Sequence, residues 1–208
     1  MKVLIISGTP KTKGITFSYV EAAEEAAMKA GAEIETITLS KMNLHKCKMC
    51  DDGWGICYSK HVCVVGNKDG FNDLQEKIGK ADAFVFITPV YWSEVSEEMK
   101  LFIDRLRRCQ ATKKWDNEAG ASFLTGKPSI LVAVAGGSGG GIVNTFNQMQ
   151  KAIEHMEGNN MPHEREGIFD YIGVNRWNQD YKREAMEKAI AEMIAYKIDN
   201  NKKAPYER

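Results

Sequence analysis

Four cysteines lie close together in one segment of the chain: Cys47, Cys50, Cys57 and Cys63, so four thiols fall within 17 positions. Four thiolates at such short spacing can close on one iron–sulfur cluster or on a tetrahedral zinc ion. Free thiols and a redox pair are the alternatives. The surrounding segment, at about residues 40–69, has weak periodicity and is too long for a passive connection, which predicts a functional insert.

A run of aromatic and turn-forming residues, 88–92, follows the apolar stretch Ala83–Ile87 and precedes a helical pattern. In an open parallel sheet, ligands bind outside the carboxyl ends of the strands. Pro89 is predicted to fix a turn there, and Tyr91 and Trp92 offer flat faces against which a planar cofactor can pack. This run therefore predicts one wall of a ligand site.

Two more loops follow predicted strands. Residues 7–16 combine hydroxyls, two lysines and glycines before a helix, which is the composition of a phosphate cradle at a helix N-terminus. Residues 136–141 contain five glycines in six positions, which lets the backbone approach a ligand and present N–H groups to it. The ligand is thus predicted to have a phosphate end and a planar end, and flavin mononucleotide (FMN) fits that description.

The elements that must position these loops alternate along the chain. The predicted strands are Lys2–Ser7, Glu33–Leu39, Ala83–Thr88, Ser129–Ala135 and Ile168–Val174. The predicted helices are Thr16–Ala30, Phe71–Lys80, Glu94–Cys109, Ile142–Glu157 and Asp180–Asp199. Alternation of this kind predicts an α/β fold with helices on both faces of a parallel sheet. We predict a single flavodoxin-like domain over residues 1–208, a three-layer sandwich with strand order 2-1-3-4-5.

Charge and hydropathy exclude several classes of function. Lysine plus arginine and aspartate plus glutamate both number 28, so the formal net charge is zero. Zero charge gives no electrostatic reason to expect nucleic acid or an anionic membrane as partner, and it favours self-association. No apolar run approaches the roughly 20 residues of a spanning helix. The N-terminus is predicted to be a strand rather than a signal peptide, so we expect a cytoplasmic protein, in which cysteines are thiols or metal ligands.

The three loops and the stretch from Met99 to Arg105 together resemble the flavodoxin-like NAD(P)H-dependent FMN reductase family, over nearly the whole chain. The resemblance implies that Ser7, Thr9, Gly14 and Thr16 hold the FMN phosphate. It implies that residues 89–92 line the ribityl chain and ring, that residues 136–139 approach the pyrimidine end, and that the protein is a homodimer or homotetramer. With the loop composition, the predicted cofactor-binding residues are Ser7, Thr9, Lys11, Lys13, Gly14, Ile15, Thr16, Thr88, Pro89, Val90, Tyr91, Trp92, Gly136, Gly137, Ser138 and Gly139.

The cysteine segment resembles a subset of that family, the iron–sulfur flavoproteins. The subset usually has three cysteines at close, equal spacing before a fourth, whereas here Gly53 stands where the third is expected and Cys57 follows four residues later. The resemblance implies a [4Fe–4S] cluster on Cys47, Cys50, Cys57 and Cys63. Zinc and free thiols stay open as alternatives.

The predicted function is that of an FMN-dependent oxidoreductase. NAD(P)H, or a ferredoxin-like carrier if a cluster is present, would deliver electrons through FMN to a quinone, flavin or other acceptor. The cofactor carries the chemistry, so no side chain is predicted to act as acid or base. The alternatives are a flavodoxin-like electron carrier without enzymatic activity and a zinc-stapled interaction module. Carriers of that kind are usually acidic, which a net charge of zero does not match.

Overall fold

The computed structural model describes residues 1–136, 139–160 and 179–198. The strands are β1 (Lys2–Ser7), β2 (Glu33–Thr38), β3 (Ala83–Tyr91), β4 (Glu94–Val95), β5 (Pro128–Val134) and β6 (Asn159–Asn160). The helices are α1 (Ile15–Lys29), α2 (Ile56–Ser59), α3 (Phe71–Lys80), α4 (Glu97–Gln110), α5 (Ile142–His155) and α6 (Gln179–Ile198). Short 3-10 helices cover Leu39–Lys41, Cys50–Gly53 and Ala111–Trp115.

One sheet organises the described residues. Five parallel strands follow the order β2-β1-β3-β5-β6, and the short β4 pairs antiparallel with the end of β3. The α/β flavodoxin-like fold is confirmed, and the predicted order 2-1-3-4-5 is matched in part, since the first four predicted strands lie in the order β2-β1-β3-β5. Two details differ: β4 was not predicted, and the edge position is filled by Asn159–Asn160. The predicted strand Ile168–Val174 lies outside the described residues.

The central strands are buried on both faces, because helices cover the sheet on each side. In β3, Phe84 and Phe86 point to the side covered by α3, α4 and α5, while Val85 and Ile87 point to the side covered by α1 and α6. Successive side chains of a strand alternate between faces, so a fully apolar run is what two covered faces require. The sheet is thereby a rigid base for the loops at its carboxyl edge.

The end of β3 differs from the prediction. Pro89 was expected to fix a turn, but it lies within the strand and pairs in register with Val134 of β5. A proline is tolerated here because its missing N–H faces the β1 side, as the carbonyl of Ile87 does, and β1 has already ended at Ser7. The turn instead lies at Trp92 and Ser93, whose φ angles are 51° and 65°. Two residues with positive φ form the usual tight connection of a hairpin, here between β3 and β4.

A cluster of partly exposed charges joins β1, β2 and α3. The Glu35 carboxylate lies 2.7 Å from Nζ of Lys77 and 2.9 Å from Nζ of Lys2. Hydrogen bonds from Lys77 and then Lys2 lower the pKa of Glu35, so its stabilising effect exists above the unfolded pKa of about 4.3 and is lost as the pH falls through the lower folded pKa. We expect Glu35→Gln to lower the free energy of unfolding by less than about 1 kcal/mol at pH 7. Urea unfolding at pH 7 and pH 3 checks this, and a difference that persists undiminished at pH 3 would contradict it.

None of the described helices is at once long enough and apolar enough to cross a membrane.

Candidate active site

The first loop leads into α1 through Gly14. Gly14 is the N-cap residue with φ 110° and ψ −172°, a conformation open almost only to glycine, and it has no side chain with which to cap the helix. The first turn of α1 contains no acidic residue. Lys11 and Lys13 are exposed beside it. Free N–H groups, the positive end of the helix and two ammonium groups together favour a phosphate at this point.

The hairpin of β3 and β4 is fastened to the first loop by buried hydroxyls. The Ser96 hydroxyl donates to the carbonyl of Gly8 at 2.6 Å, and its oxygen accepts from the N–H of Met99 at 3.3 Å, which caps α4. Thr88 Oγ1 accepts from the N–H of Ser96 at 3.0 Å. The start of α4 is therefore tied to both β1 and β3.

A cleft of about 340 Å³ opens where the loops after β1 and β5 meet the end of β3. Its lining consists of Thr9, Lys11, Lys13, Gly14, Ile15, Thr16, Pro89, Val90, Tyr91, Val134, Ala135 and Gly136. One end is the lysine-flanked N-terminus of α1, and the other is formed by strand ends and the Tyr91 ring. This shape can hold an anion at one end and an apolar, planar group at the other.

Ten of the sixteen predicted cofactor-binding residues line this cleft. Ser7 and Thr88 are instead fully buried, and their hydroxyls bond to the backbone N–H groups of Thr9 and Ser96. Trp92 is 100% exposed and lines a neighbouring cleft, while Gly139 bonds back to Gly136 within its own loop. Gly137 and Ser138 lie outside the described residues. Roles in cofactor binding stay predictions for all sixteen.

Sequence reasoning missed two lining residues, Val134 and Ala135. Both belong to the apolar run of β5 and its first following residue, so they were counted as core. Their position directly before the glycine loop is the signal that identifies them, because the last residue of a parallel strand always lies at the edge where ligands bind.

The cysteine segment packs against α4 through α2, and each of its four cysteines is partly buried. Burial raises the pKa of the Cys57 thiol, and the charges of Cys47, Cys63 and Cys50 raise it further, so Cys57 lies within electrostatic range of the other three. In the described part of the chain, no three cysteine, histidine, aspartate or glutamate side chains converge as they would on a bound metal ion. The donor set suits a cluster or zinc in number and chemistry.

The cysteine segment is strained and anchored. Met49, Asp51 and Asp52 all have φ near 50°, which non-glycine residues rarely adopt. His61 joins the segment to the end of α4: its Nε2 lies 3.0 Å from Oδ2 of Asp116, and its Nδ1 lies 3.2 Å from the carbonyl of Cys109. Such strain persists only where surrounding contacts hold the loop in shape.

Several charged and sulfur-bearing side chains of α4 differ in their surroundings. Lys100 and Asp104 form an exposed pair one helical turn apart. Cys109 is 1% exposed and packs in the core, and burial raises the pKa of its thiol. Arg105 is fully buried beside Cys63 and pairs with Asp69.

Comparison with known proteins identifies the family of this chain. The model of the family described as NADPH-dependent FMN reductase matches residues 1–165. An iron-sulfur flavoprotein from Archaeoglobus fulgidus is 31% identical over 51% of this chain, and one from Methanocaldococcus jannaschii is 30% identical over 68%. The matches cover 46% and 65% of those two proteins, so the chain spans about half to two thirds of their length.

The fold is shared with solved structures at lower identity. An NAD(P)H:quinone oxidoreductase from Methanothermobacter marburgensis superimposes with a TM-score of 0.60 at 20% identity, covering 93% of this chain and 94% of that one. At this identity the likeness concerns the fold alone. The family match over residues 1–165 places the cleft and the cysteine segment within one known group of sequences. The chain belongs to the NADPH-dependent FMN reductase family and is similar to its iron-sulfur flavoproteins.

Proposed function

We propose that this protein is an FMN-dependent oxidoreductase that passes electrons from NAD(P)H, or from a ferredoxin-like donor, through FMN to a quinone, flavin or other acceptor. The observation that carries the proposal is the cleft at the carboxyl edge of β1, β3 and β5. It combines an uncapped helix N-terminus and two lysines with an apolar, aromatic wall. Membership of a family described as NADPH-dependent FMN reductases supports the choice of cofactor and donor.

Different residues of the cleft would bind the phosphate and the planar ring of FMN. Backbone N–H groups of residues 15–17, with Lys11, Lys13 and the hydroxyls of Thr9 and Thr16, would hold the phosphate. Pro89, Val90 and the Tyr91 ring would cover the planar end and exclude water from it. When bound, FMN supplies the hydride and electron chemistry, and the protein supplies position and electrostatics.

An anaerobic absorption spectrum of the purified protein is the first test of the proposal. We expect a two-banded flavin spectrum that bleaches on addition of NADH or NADPH and returns with a quinone. A colourless protein that takes up no added FMN would overturn the proposal. A flavin spectrum with no catalytic turnover by any acceptor would instead favour a flavodoxin-like carrier.

Discrimination between FMN and riboflavin tests the phosphate end of the cleft. Riboflavin lacks the phosphate, so it forfeits charge-assisted hydrogen bonds worth about 1.5–3 kcal/mol each. We expect riboflavin to bind at least about 100-fold more weakly than FMN, and the double variant Lys11→Gln/Lys13→Gln to reduce that ratio. Fluorescence titration of the apoprotein measures both affinities. Equal affinities in the wild type would show that the lysine-flanked end does not bind phosphate.

We further propose that Cys47, Cys50, Cys57 and Cys63 ligate a [4Fe–4S] cluster, with zinc as the alternative. Four thiols on one segment and the similarity to iron-sulfur flavoproteins support it. Cysteine thiols stay reduced in the cytoplasm and are then available as ligands, so the cytoplasm is the proposed compartment. Elemental analysis of anaerobically purified protein distinguishes the two: close to four irons and four sulfides per chain support the cluster, and one zinc per chain supports the alternative.

We also propose a homodimer or homotetramer. A groove of about 480 Å³ runs between α4 and α5 beside the exposed Trp92 hairpin. Its floor is apolar (Val95, Ile103, Ala152), and its rim carries both signs of charge (Glu94, Asp104, Lys100, Arg107, Lys151). A mixed rim can complement itself across a two-fold axis, which favours a second copy of this chain as occupant. Light scattering should give at least a dimer mass, and Lys151→Glu should weaken the association. A monomer at all concentrations would contradict the proposal.

A further inference from the structure

Arg105 is a fully buried cation on the inner face of α4, and its side chain is 1% exposed. Its Nη1 lies 2.5 Å from Oδ2 of Asp69, and its Nη2 lies 3.2 Å from Oδ1, so the guanidinium and carboxylate pair through both forks. Its Cζ atom lies 4.1 Å from the centroid of the Phe71 ring. A buried charge of this kind persists only when it is paired and hydrogen-bonded.

Two further bonds direct this cation to the cysteine segment. Nη1 donates to the carbonyl of His45 at 3.1 Å, two residues before Cys47, and Nη2 donates to Sγ of Cys63 at 3.2 Å. Asp69 completes the arrangement by accepting from the N–H of His45 at 2.9 Å. Arg105 and Asp69 thus connect His45, which precedes the first of the four cysteines in the sequence, to the end of the segment after the last of them.

The electrostatics agree with this arrangement. Burial alone would raise the pKa of Asp69, but the hydrogen bonds from Arg105 and from the His45 amide outweigh it and lower that pKa. Asp69 is therefore ionised at neutral pH and balances the charge of Arg105. The Nη2 group of Arg105 also donates to the Cys63 sulfur. Hydrogen bonds to cluster sulfurs are one of the means by which proteins set cluster potentials.

We propose that Arg105 is the positioning residue of the cysteine site: it holds Cys63 and both ends of the segment in place, and it donates a hydrogen bond to the Cys63 sulfur when that sulfur is a metal ligand. This inference rests on the proposed cluster for its second half only. The closure of the segment depends on contacts among the chain's own residues. The two halves are therefore measured separately.

The test compares two variants with a matched control. Arg105→Gln/Asp69→Asn removes both charges, so neither is left buried and unpaired, and Arg105→Lys keeps the charge but loses the fork. The control is Arg183→Gln/Glu25→Gln, which removes an exposed arginine–glutamate pair (3.1 Å) between α6 and α1. Circular dichroism and FMN binding establish that each variant is folded.

In the proteins prepared without iron, amide hydrogen exchange measures how well Arg105 and Asp69 hold residues 45–69 in place. We expect Arg105→Gln/Asp69→Asn to raise exchange over residues 45–69 by at least about tenfold, with little change in the core of β3, and the control to leave both unchanged. Unchanged exchange over residues 45–69 in the charge-free variant would overturn the positioning role. This measurement stands whether or not the wild type binds iron.

In the proteins reconstituted with iron and sulfide, a potentiometric titration followed by electron paramagnetic resonance measures the reduction potential of the cluster, which the hydrogen bond to the Cys63 sulfur should affect. A lost hydrogen bond disfavours the reduced, more negative cluster, so we expect the reduction equilibrium to shift about tenfold towards the oxidised form, which is about 59 mV for one electron. Arg105→Lys should recover part of that shift, because it restores a cation without the fork. A potential equal to that of the wild type in both variants would overturn the role at sulfur, whereas a wild type that retains no iron would overturn the proposed cluster instead.

Discussion

Replacing Gly141 by alanine is expected to lower the free energy of unfolding by about 2–4 kcal/mol. Gly141 caps α5 at φ 83°, and a Cβ there would lie 2.5 Å from Cα of Ser93 and 2.6 Å from its Oγ. A backbone atom cannot move aside by rotation, so either the helix start or the hairpin must shift. At about 2–4 °C per kcal/mol for a chain of this size, the melting temperature of the apoprotein should fall by roughly 5–15 °C.

The neighbouring Gly140 provides the control for that substitution. A Cβ at Gly140 would meet nothing within 4 Å, so Gly140→Ala should leave the melting temperature close to that of the wild type. Both variants add one methyl group to the same loop, so the comparison separates the clash with Ser93 and the positive φ at Gly141 from a general effect of stiffening the glycine loop. Equal melting temperatures for both variants would show that α5 and the hairpin do not approach as closely as described.

Gly14→Ala is expected to weaken FMN binding by about 10- to 100-fold. The cause is conformational, since a Cβ at Gly14 would meet nothing within 4 Å, whereas φ 110° costs a residue with a Cβ about 1–3 kcal/mol. The chain relieves that strain by moving the N–H groups that open α1, and each 1.4 kcal/mol is a factor of ten in affinity. Titration of the apoprotein with FMN and with riboflavin measures the effect.

Riboflavin makes the test specific to the phosphate end. Its affinity should change by less than about threefold in Gly14→Ala, because it offers no phosphate to the displaced N–H groups. Gly120→Ala serves as the control: Gly120 also has open space and positive φ (69°), but it lies in the loop before β5, away from the cleft lining. Equal losses for the two ligands in Gly14→Ala would mean that Gly14 does not shape a phosphate site.

The fold and much of the cleft could be predicted from the sequence because they depend on local patterns. Apolar runs such as Val3–Ile6 and Ala83–Ile87 are buried on both faces, and only a sheet covered by helices on each side explains them. Once the strands are known, parallel pairing brings their carboxyl ends to one edge. The loops after β1 and β5 and the end of β3 then meet without any knowledge of side-chain contacts.

Contacts between distant residues could not be predicted in this way. The pairing of Arg105 with Asp69 joins positions 36 apart, and nothing in the helical pattern of α4 distinguishes Arg105 from the more exposed Arg107 and Arg108. The extension of β3 through Pro89 was missed for a related reason. Proline is a turn signal when read locally, and it becomes acceptable in a strand only because β1 ends two residues earlier in the register.

Helix α4 also limits how this sequence can diverge. Ser96 caps it beside the loop that follows β1, and Arg105 contacts the cysteine segment from it, nine positions later, or about 14 Å along the axis. One inserted or deleted residue between them would turn Arg105 by about 100° away from Asp69 and Cys63. Homologous chains that keep both the Ser96 cap and the Arg105–Asp69 pair should therefore have no insertion or deletion between these positions. Differences in length should occur instead in the loop between α4 and β5.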